Sequence, residues 1–405
     1  MAGVYLHIPF CKSRCIYCGF YSTTRSELQQ RYVDALCLEM ELRRDYLSEP
    51  VTTLYIGGGT PSLLLPQQLE QLFAAVDTHF PTAGLVEVTM ECNPDDVTTS
   101  FVQQLRHLPV KRVSMGAQSF SDQRLRFLHR RHTARQTAAA TDLLRKAGIE
   151  NISIDLMYGF PSETIAEWHS DIDAAVVLGV EHLSAYSLMY EEGTVLYDML
   201  ERGKVEELEE EVERTMYYDL IDRLESAGFE HYEISNFAKV LTGTEADVCG
   251  RRSLRALHNS SYWDGTPYLG LGAAAHSFDR NSRQWNVSDI VAYIDGMESV
   301  KAMGFSATVG QRYPCCLPVV EEREELNAAT RYNDTVLTSL RTSDGLQLER
   351  LTGQERLYCL DNARKYLADG LLVLDQQDDN GSGRLRLSRQ GLFVSDMIMA
   401  DLVVI

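Results

Sequence analysis

Three cysteines stand at positions 11, 15 and 18 in Cys-Lys-Ser-Arg-Cys-Ile-Tyr-Cys, the spacing C-x3-C-x2-C, directly after a strand-like run over 4–10. Thiolates three and four residues apart on one loop come round to the same side and can wrap a single inorganic cluster. A 4Fe–4S cluster normally takes four cysteine ligands, so three leave one iron open to an exogenous ligand. An open position is where a metal centre does chemistry, by the logic that separates catalytic from structural zinc sites. Two blander readings stand beside this one. A structural zinc usually needs four ligands in paired spacings, and no second C-x2-C pair occurs. A disulfide with one free thiol suits a secreted chain, and nothing marks secretion here.

Such a loop needs a scaffold. Strands are expected over 4–10, 53–56, 85–90, 112–116, 152–156 and 182–190. Helices are expected over 26–49, 67–80, up to 108, over 133–147 with Gly148 as C-cap, and over 165–178. The rhythm of strand, polar loop and helix repeats about six times, which implies parallel strands with right-handed crossovers. In barrels and open α/β sheets, ligands sit at the carboxyl ends of the strands. That rule gathers Cys11, Gly57 to Pro61, Glu91, Gln118, Asp155 and Tyr190 around one mouth. The glycines at 57–59 end a strand and would let backbone approach a ligand closely; Thr60 can donate a hydroxyl and Pro61 fixes the exit.

The remainder is less regular. A glutamate-rich run over 204–213 reads as the solvated face of a helix continuing to 227, and 231–236 reads as a strand. Residues 239–256 are polar and read as a loop, followed by His258-Asn259-Ser260-Ser261-Tyr262-Trp263 and a glycine-rich strand end over 268–277. Beyond 306, helices are expected over 321–339 and 354–369. A hairpin across 371–387 and a last helix N-capped by Ser388 complete a winged-helix-like order. The division expected is 1–238, 239–305 and 306–405.

With 405 residues, two cores are expected. A net charge of −20 argues against a phosphate-backbone binder. No run of about 18 apolar residues suggests a membrane span, and the first ten residues lack the basic-then-apolar order of a signal peptide. A reducing cytoplasm is the expected home. Cys37, Cys92, Cys249, Cys315, Cys316 and Cys359 read as ordinary thiols, the Cys315-Cys316 pair without explanation.

The cysteine spacing, with Tyr17 before the last ligand, resembles the radical S-adenosylmethionine (SAM) superfamily signature. That resemblance implies a cluster whose open iron binds SAM and cleaves it reductively to a 5′-deoxyadenosyl radical. Further blocks resemble the oxygen-independent coproporphyrinogen III oxidase-like family: residues 5–11, 57–61, 91–94, 114–119, Arg130 and 155–161. The resemblance implies a partial (β/α)6 barrel, TIM-like, with a smaller winged-helix-like C-terminal domain. It also implies that Tyr5, Tyr17, Gly58, Gly59, Thr60, Glu91, Gln118, Arg130 and Asp155 contact SAM. Physically, Glu91 and Asp155 can accept from an amine or hydroxyls and Arg130 can pair a carboxylate.

Two departures point away from the oxidase branch, which usually has a cysteine where Phe20 stands and a longer segment before its first ligand. The stretch 258–263 instead resembles the H-N-x-x-Y-W motif of the haem chaperone branch, which implies His258 as a haem ligand. A histidine can bind haem iron axially, and Tyr262 and Trp263 offer flat apolar surface; a packed histidine beside core aromatics is the bland alternative. The expected function is a haem chaperone serving acceptor haemoproteins. The alternative is the radical decarboxylase. A nucleic-acid-binding role, suggested by the winged-helix-like order alone, is opposed by the acidic charge. A reductase or electron donor is implied if SAM is cleaved; a homodimer and transient membrane association are left open.

Overall fold

The computed structural model describes residues 1–241, 253–303, 317–375 and 383–404. The chain opens on β1 (Ala2–Ile8), then runs through α1 (Gln29–Leu42), β2 (Val51–Gly58), α2 (Pro66–His79), β3 (Glu87–Cys92), α3 (Thr99–Leu105) and β4 (Arg112–Gln118). Two helices follow, α4 (Asp122–Phe127) and α5 (Ala134–Ala147), then β5 (Asn151–Tyr158), α6 (Ile165–Val177) and β6 (His182–Ser187). All six strands pair in parallel and in chain order. This is the parallel α/β arrangement expected, and it is open: β1 and β6 do not meet.

The reason lies in the period-two pattern. Val4, Leu6 and Ile8, Leu54 and Ile56, Val88 and Met90, and Ile152 and Ile154 are buried against the helices. Their neighbours Tyr5, Tyr55, Glu91, Ser114 and Asp155 turn to the other face and line a cavity. Helix ends follow local chemistry. Thr133 and Thr164 cap α5 and α6 in capping boxes, and Gly148 closes α5 at φ 91°. α4 has no long apolar stripe and was not expected from the sequence. The helix expected over 26–49 is a short 3-10 turn followed by α1, which stops at Leu42.

After β6 come α7 (Val195–Glu201), α8 (Glu210–Ser226), β7 (Phe229–Glu233) and β8 (Asn236–Lys239). The charge run is thus only partly helical, since α8 starts at Glu210. The single strand expected over 231–236 is a hairpin: Glu233 accepts from Ser235 N and from Asn236 Nδ2, which turns the chain back. β8 lies antiparallel against β6.

On the other side, α9 (Leu257–Asp264) leads to β9 (Tyr268–Leu271), which pairs in parallel with β1, and to β10 (His276–Phe278) and β11 (Ser282–Asn286). α10 (Ile290–Ala302) packs on α1. The helix expected over 321–339 splits into an edge strand, β12 (Val320–Glu325), and α11 (Ala328–Leu340), capped by Asn327. Glutamates on both faces of β12 suit an edge strand paired only with β11.

A second, smaller core follows. β13 (Leu346–Gln347), α12 (Gly353–Ala368), β14 (Leu372–Asp375) and β15 (Arg384–Leu387) precede α13 (Arg389–Phe393) and α14 (Ser395–Leu402). Leu340, Leu346, Leu372, Leu385 and Ile398 bury together around a three-stranded sheet ordered β13-β15-β14. Residues 242–252 of the loop expected over 239–256, residues 376–382 of the hairpin expected across 371–387, and Cys249, Cys315 and Cys316 lie outside the described residues.

Candidate functional site

The cysteine loop is tied down at both flanks. Cys11 N donates to Thr23 O at 2.9 Å and Thr23 N to Pro9 O at 2.7 Å. Further along, Ile16 N donates to Leu128 O and Leu196 N to Ile16 O. Ile16 is buried with Leu128, Met157, Phe160, Leu188 and Leu196 in a small apolar cluster beneath the loop. Cys11, Cys15 and Cys18 are free, half-buried thiols. All three line one cavity of about 670 Å3 at the carboxyl ends of the parallel strands.

Around it stand Tyr5, Tyr17, Gly58, Gly59, Thr60, Glu91, Gln118, Arg130 and Asp155, so each residue expected at a SAM site borders the same space. Tyr190 does not. The strand ends at Ser187, and Tyr190 faces a neighbouring cleft with Glu207 and Glu213, while Tyr186 and Met189 reach the cavity.

The glycines also have a packing task within the protein. A Cβ on Gly59 would lie 2.7 Å from the Pro9 carbonyl carbon, and one on Gly58 2.5 Å from the His7 ring. Gly58 has φ +109°, and Gly59 N donates to Ile8 O at 2.8 Å. Their lack of side chain lets this loop nest against the end of β1, beside the first cysteine, while both glycines border the cavity.

Polar contacts then order the cavity wall. Glu91 accepts from Tyr55 Oη at 2.6 Å and from Gly58 N at 2.9 Å, and burial pushes its carboxyl up. Burial, with Glu91 beside it, raises Asp155 to about 7. Arg130 donates to Asn93 Oδ1 at 2.5 Å, to Gly116 O at 2.6 Å and toward Cys15 Sγ at 3.6 Å, while its Nε is buried with no partner. Asn93 also donates to Thr60 Oγ1 at 3.1 Å, and Thr60 lies 3.7 Å from Cys11 Sγ. Gln118 holds φ +63°, a strained conformation for a residue with a side chain, at a bulge between β4 and β5. Tyr5 Oη is 2.9 Å from His7 Nδ1, and burial raises Tyr5 and Tyr17 alike. Sequence reasoning missed Tyr55, Asn93, Ser184 and Met189; the alternation that placed Glu91 and Asp155 inward was the available signal for Tyr55 and Ser184.

The donor set fits a cluster. Burial pushes the Cys11 and Cys18 thiols up, neighbouring sulfurs add to it, and hydrogen bonds from Thr60 and from Phe20 N oppose it. Cationic iron would favour the thiolate forms these ligands need. Among the described residues no three His, Cys, Asp or Glu side chains close on a single metal ion. When bound, such a cluster supplies one-electron chemistry beside SAM.

His258 is placed differently from the accessible ligand expected. α9 sits under the cavity at the base of the sheet, its first N–H groups donating to Glu87 from Leu257 at 2.8 Å and His258 at 3.0 Å. The His258 ring is 1% exposed and stacked on Tyr55, with Nδ1 2.9 Å from Thr53 Oγ1 and Nε2 3.0 Å from Tyr262 Oη. Burial pulls its pKa down to about 3. Both nitrogens are engaged, so in this conformation it is a packed histidine beside core aromatics.

Comparison with known proteins places this geometry in a lineage. Residues 5–175 match the Radical SAM superfamily, which implies a 4Fe–4S cluster and SAM. A protein of Mycobacterium tuberculosis named Heme chaperone HemW is 36% identical over 408 residues, spanning 99% of this chain and 94% of its own. Its namesake in Bacillus subtilis is 35% identical over 298 residues, 73% of this chain and 76% of its own. Among solved structures, coproporphyrinogen III oxidase (HemN) from Escherichia coli shares the fold, with TM-score 0.78, 20% identity, and coverage of 100% of this chain and 90% of that one. The chain belongs to the radical SAM superfamily, in the family of the haem chaperone HemW.

Proposed function

We propose that this protein is a radical SAM-type haem chaperone that binds haem and transfers it to acceptor haemoproteins. The observation that carries the reading is the likeness to relatives named Heme chaperone over 99% of the chain. Phe20, 73% exposed at the cavity, supports it by standing where the oxidase branch would have a cysteine. Cys11, Cys15 and Cys18 would hold the cluster. Tyr5, Tyr17, Gly58, Gly59, Thr60, Glu91, Gln118, Arg130 and Asp155 would surround SAM, all of them bordering the one cavity. The proposed division remains 1–238, 239–305 and 306–405. The protein would work in the cytoplasm, with an electron donor if SAM is cleaved; among the described residues no helix is long and apolar enough to cross a membrane.

Ligation by His258 belongs to this proposal only for a state in which α9 has left the base, because both ring nitrogens are otherwise occupied. The test is anaerobic reconstitution of the cluster followed by haem titration in the Soret region, for wild type and His258→Ala. Saturable binding by wild type supports the chaperone, and weakening in the variant supports His258. No binding by wild type withdraws the reading and turns attention to protoporphyrinogen formation. Equal affinity of the two withdraws His258 alone.

A further inference from the structure

Asn259 borders the cavity that holds the cysteines and the residues expected around SAM, and it is the only residue of α9 that does. His258, its neighbour in the chain, is turned onto the Tyr55 ring, because successive helix residues point about 100° apart. α9 thus meets the cavity with one residue and carries the expected haem ligand on the one before. The Asn259 side chain is half-buried and makes no hydrogen bond to another described residue. Asparagine is a weak helix former, since its amide competes for backbone groups, and nothing in the protein offsets that cost here. A free amide offers two donors and an acceptor, the complement of a hydroxyl or a nucleobase edge, which the charged groups of Glu91, Arg130 and Asp155 leave unmet. Tyr55 ties the same two places together. Its hydroxyl donates to Glu91 at 2.6 Å in the cavity wall, and its ring stacks on His258 with centroids 5.3 Å apart.

We propose that Asn259 hydrogen-bonds to SAM and that bound SAM thereby holds α9 on the base, so that SAM and haem oppose each other's binding. The proposal rests on the haem-chaperone reading with His258 as ligand. The His258 ring is enclosed by Thr53, Tyr55 and Tyr262 and reaches iron only when α9 leaves, so haem ligation and a seated α9 exclude each other. A ligand that bonds Asn259 from the cavity side favours the seated state. Coupling between two ligands is reciprocal, so haem must weaken SAM by the factor with which SAM weakens haem.

The test uses the full-length protein with its cluster reconstituted anaerobically and no reductant added, so that SAM stays intact. SAM binding is read by equilibrium dialysis and hemin binding by Soret absorbance, each alone and with the other ligand saturating, for wild type, Asn259→Ala and His258→Ala. The Asn259 side chain bonds to no described residue and alanine suits a helix, so folding and cluster absorbance are expected to be unchanged. Asn259→Ala should weaken SAM binding about tenfold, the scale of hydrogen bonds lost from an enclosed site. In wild type, saturating SAM should weaken hemin binding about tenfold, and saturating hemin should weaken SAM equally. In Asn259→Ala hemin should bind alike with and without SAM. His258→Ala should bind SAM as wild type does. Equal SAM affinity in wild type and Asn259→Ala would overturn the contact, and coupling that survives in Asn259→Ala would overturn the role of that contact. Wild-type hemin affinity that SAM leaves unchanged or raises would overturn the coupling and leave the chaperone reading standing. A wild type that takes up SAM but no hemin would overturn the chaperone reading and the coupling with it.

Discussion

Asp155 is where burial and charge oppose each other most directly. It faces Glu91 from β3, Ser184 from β6, and the guanidinium groups of Arg112 and Arg130, and the net result of burial is a carboxyl raised from 3.8 to about 7. The folded chain therefore keeps a proton there where the unfolded chain has lost it. This contribution to stability is complete below about pH 4 and is lost as pH rises to about 7. Asp155→Asn should remove that slope, gaining ~2 kcal/mol at pH 8 relative to pH 5. Denaturant melts of both proteins at the two pH values measure it, with Glu163, also raised to about 7, leaving a residual slope in each. Parallel slopes for wild type and variant would show that Asp155 is not the titrating group.

At the scale of elements, the site depends on loops that nest against each other. A methyl group at Gly59 meets backbone on two sides, 2.7 Å from the Pro9 carbonyl carbon and 2.8 Å from Ile8 O, and backbone cannot yield as a side chain does. Gly59→Ala should cost about 2–3 kcal/mol and disturb the turn into Cys11, so that less iron is retained after reconstitution. Full iron content with an unchanged melting point would refute it. α9 offers a second test. Glu87 receives its two leading N–H groups, an anion at a helix N-terminus, and Glu87→Ala should loosen α9 by about 1–2 kcal/mol. If His258 ligates haem once α9 leaves, that variant binds haem more tightly than wild type while melting earlier.

The same elements show what a sequence reader could see. Thr133, Gly148 and Thr164 announce helix ends because capping is local chemistry. Glu91 and Asp155 fall inward because a strand alternates. The position of α9 could not be read, since its contacts with Glu87 and Thr53 join residues far apart in the chain. Nor could β12, whose glutamates carry no apolar period. Met189 was hidden because it belongs to a loop, not to the strand expected to reach Tyr190.

Across the whole molecule, the parallel sheet is extended by strands from far along the chain, and one buried polar network joins them to its start. Glu39, fully buried on α1, accepts from Arg43 at 3.0 Å, Gly272 N at 2.8 Å, Asn286 Nδ2 at 2.8 Å and Tyr293 Oη at 2.6 Å. Arg43 donates onward to Gly270 O at 3.1 Å and Ser277 Oγ at 3.0 Å. Tyr32, one turn and more before, donates to His7 O at 2.7 Å and accepts from Ala273 N at 3.0 Å. The strand that leads into the cysteines is thereby locked to β9 and to α10. Removing one partner of a buried pair leaves the other charge without compensation, which typically costs 3–5 kcal/mol. Glu39→Ala should lose about that much, while Glu39→Gln, which keeps acceptors for Gly272 N and Tyr293, should lose less. Thermal unfolding followed at once by circular dichroism and by cluster absorbance would show both signals falling together and earlier in Glu39→Ala. A variant that unfolds within 1 kcal/mol of wild type would mean that packing of α1 and α10, and not this network, holds the added strands to the barrel.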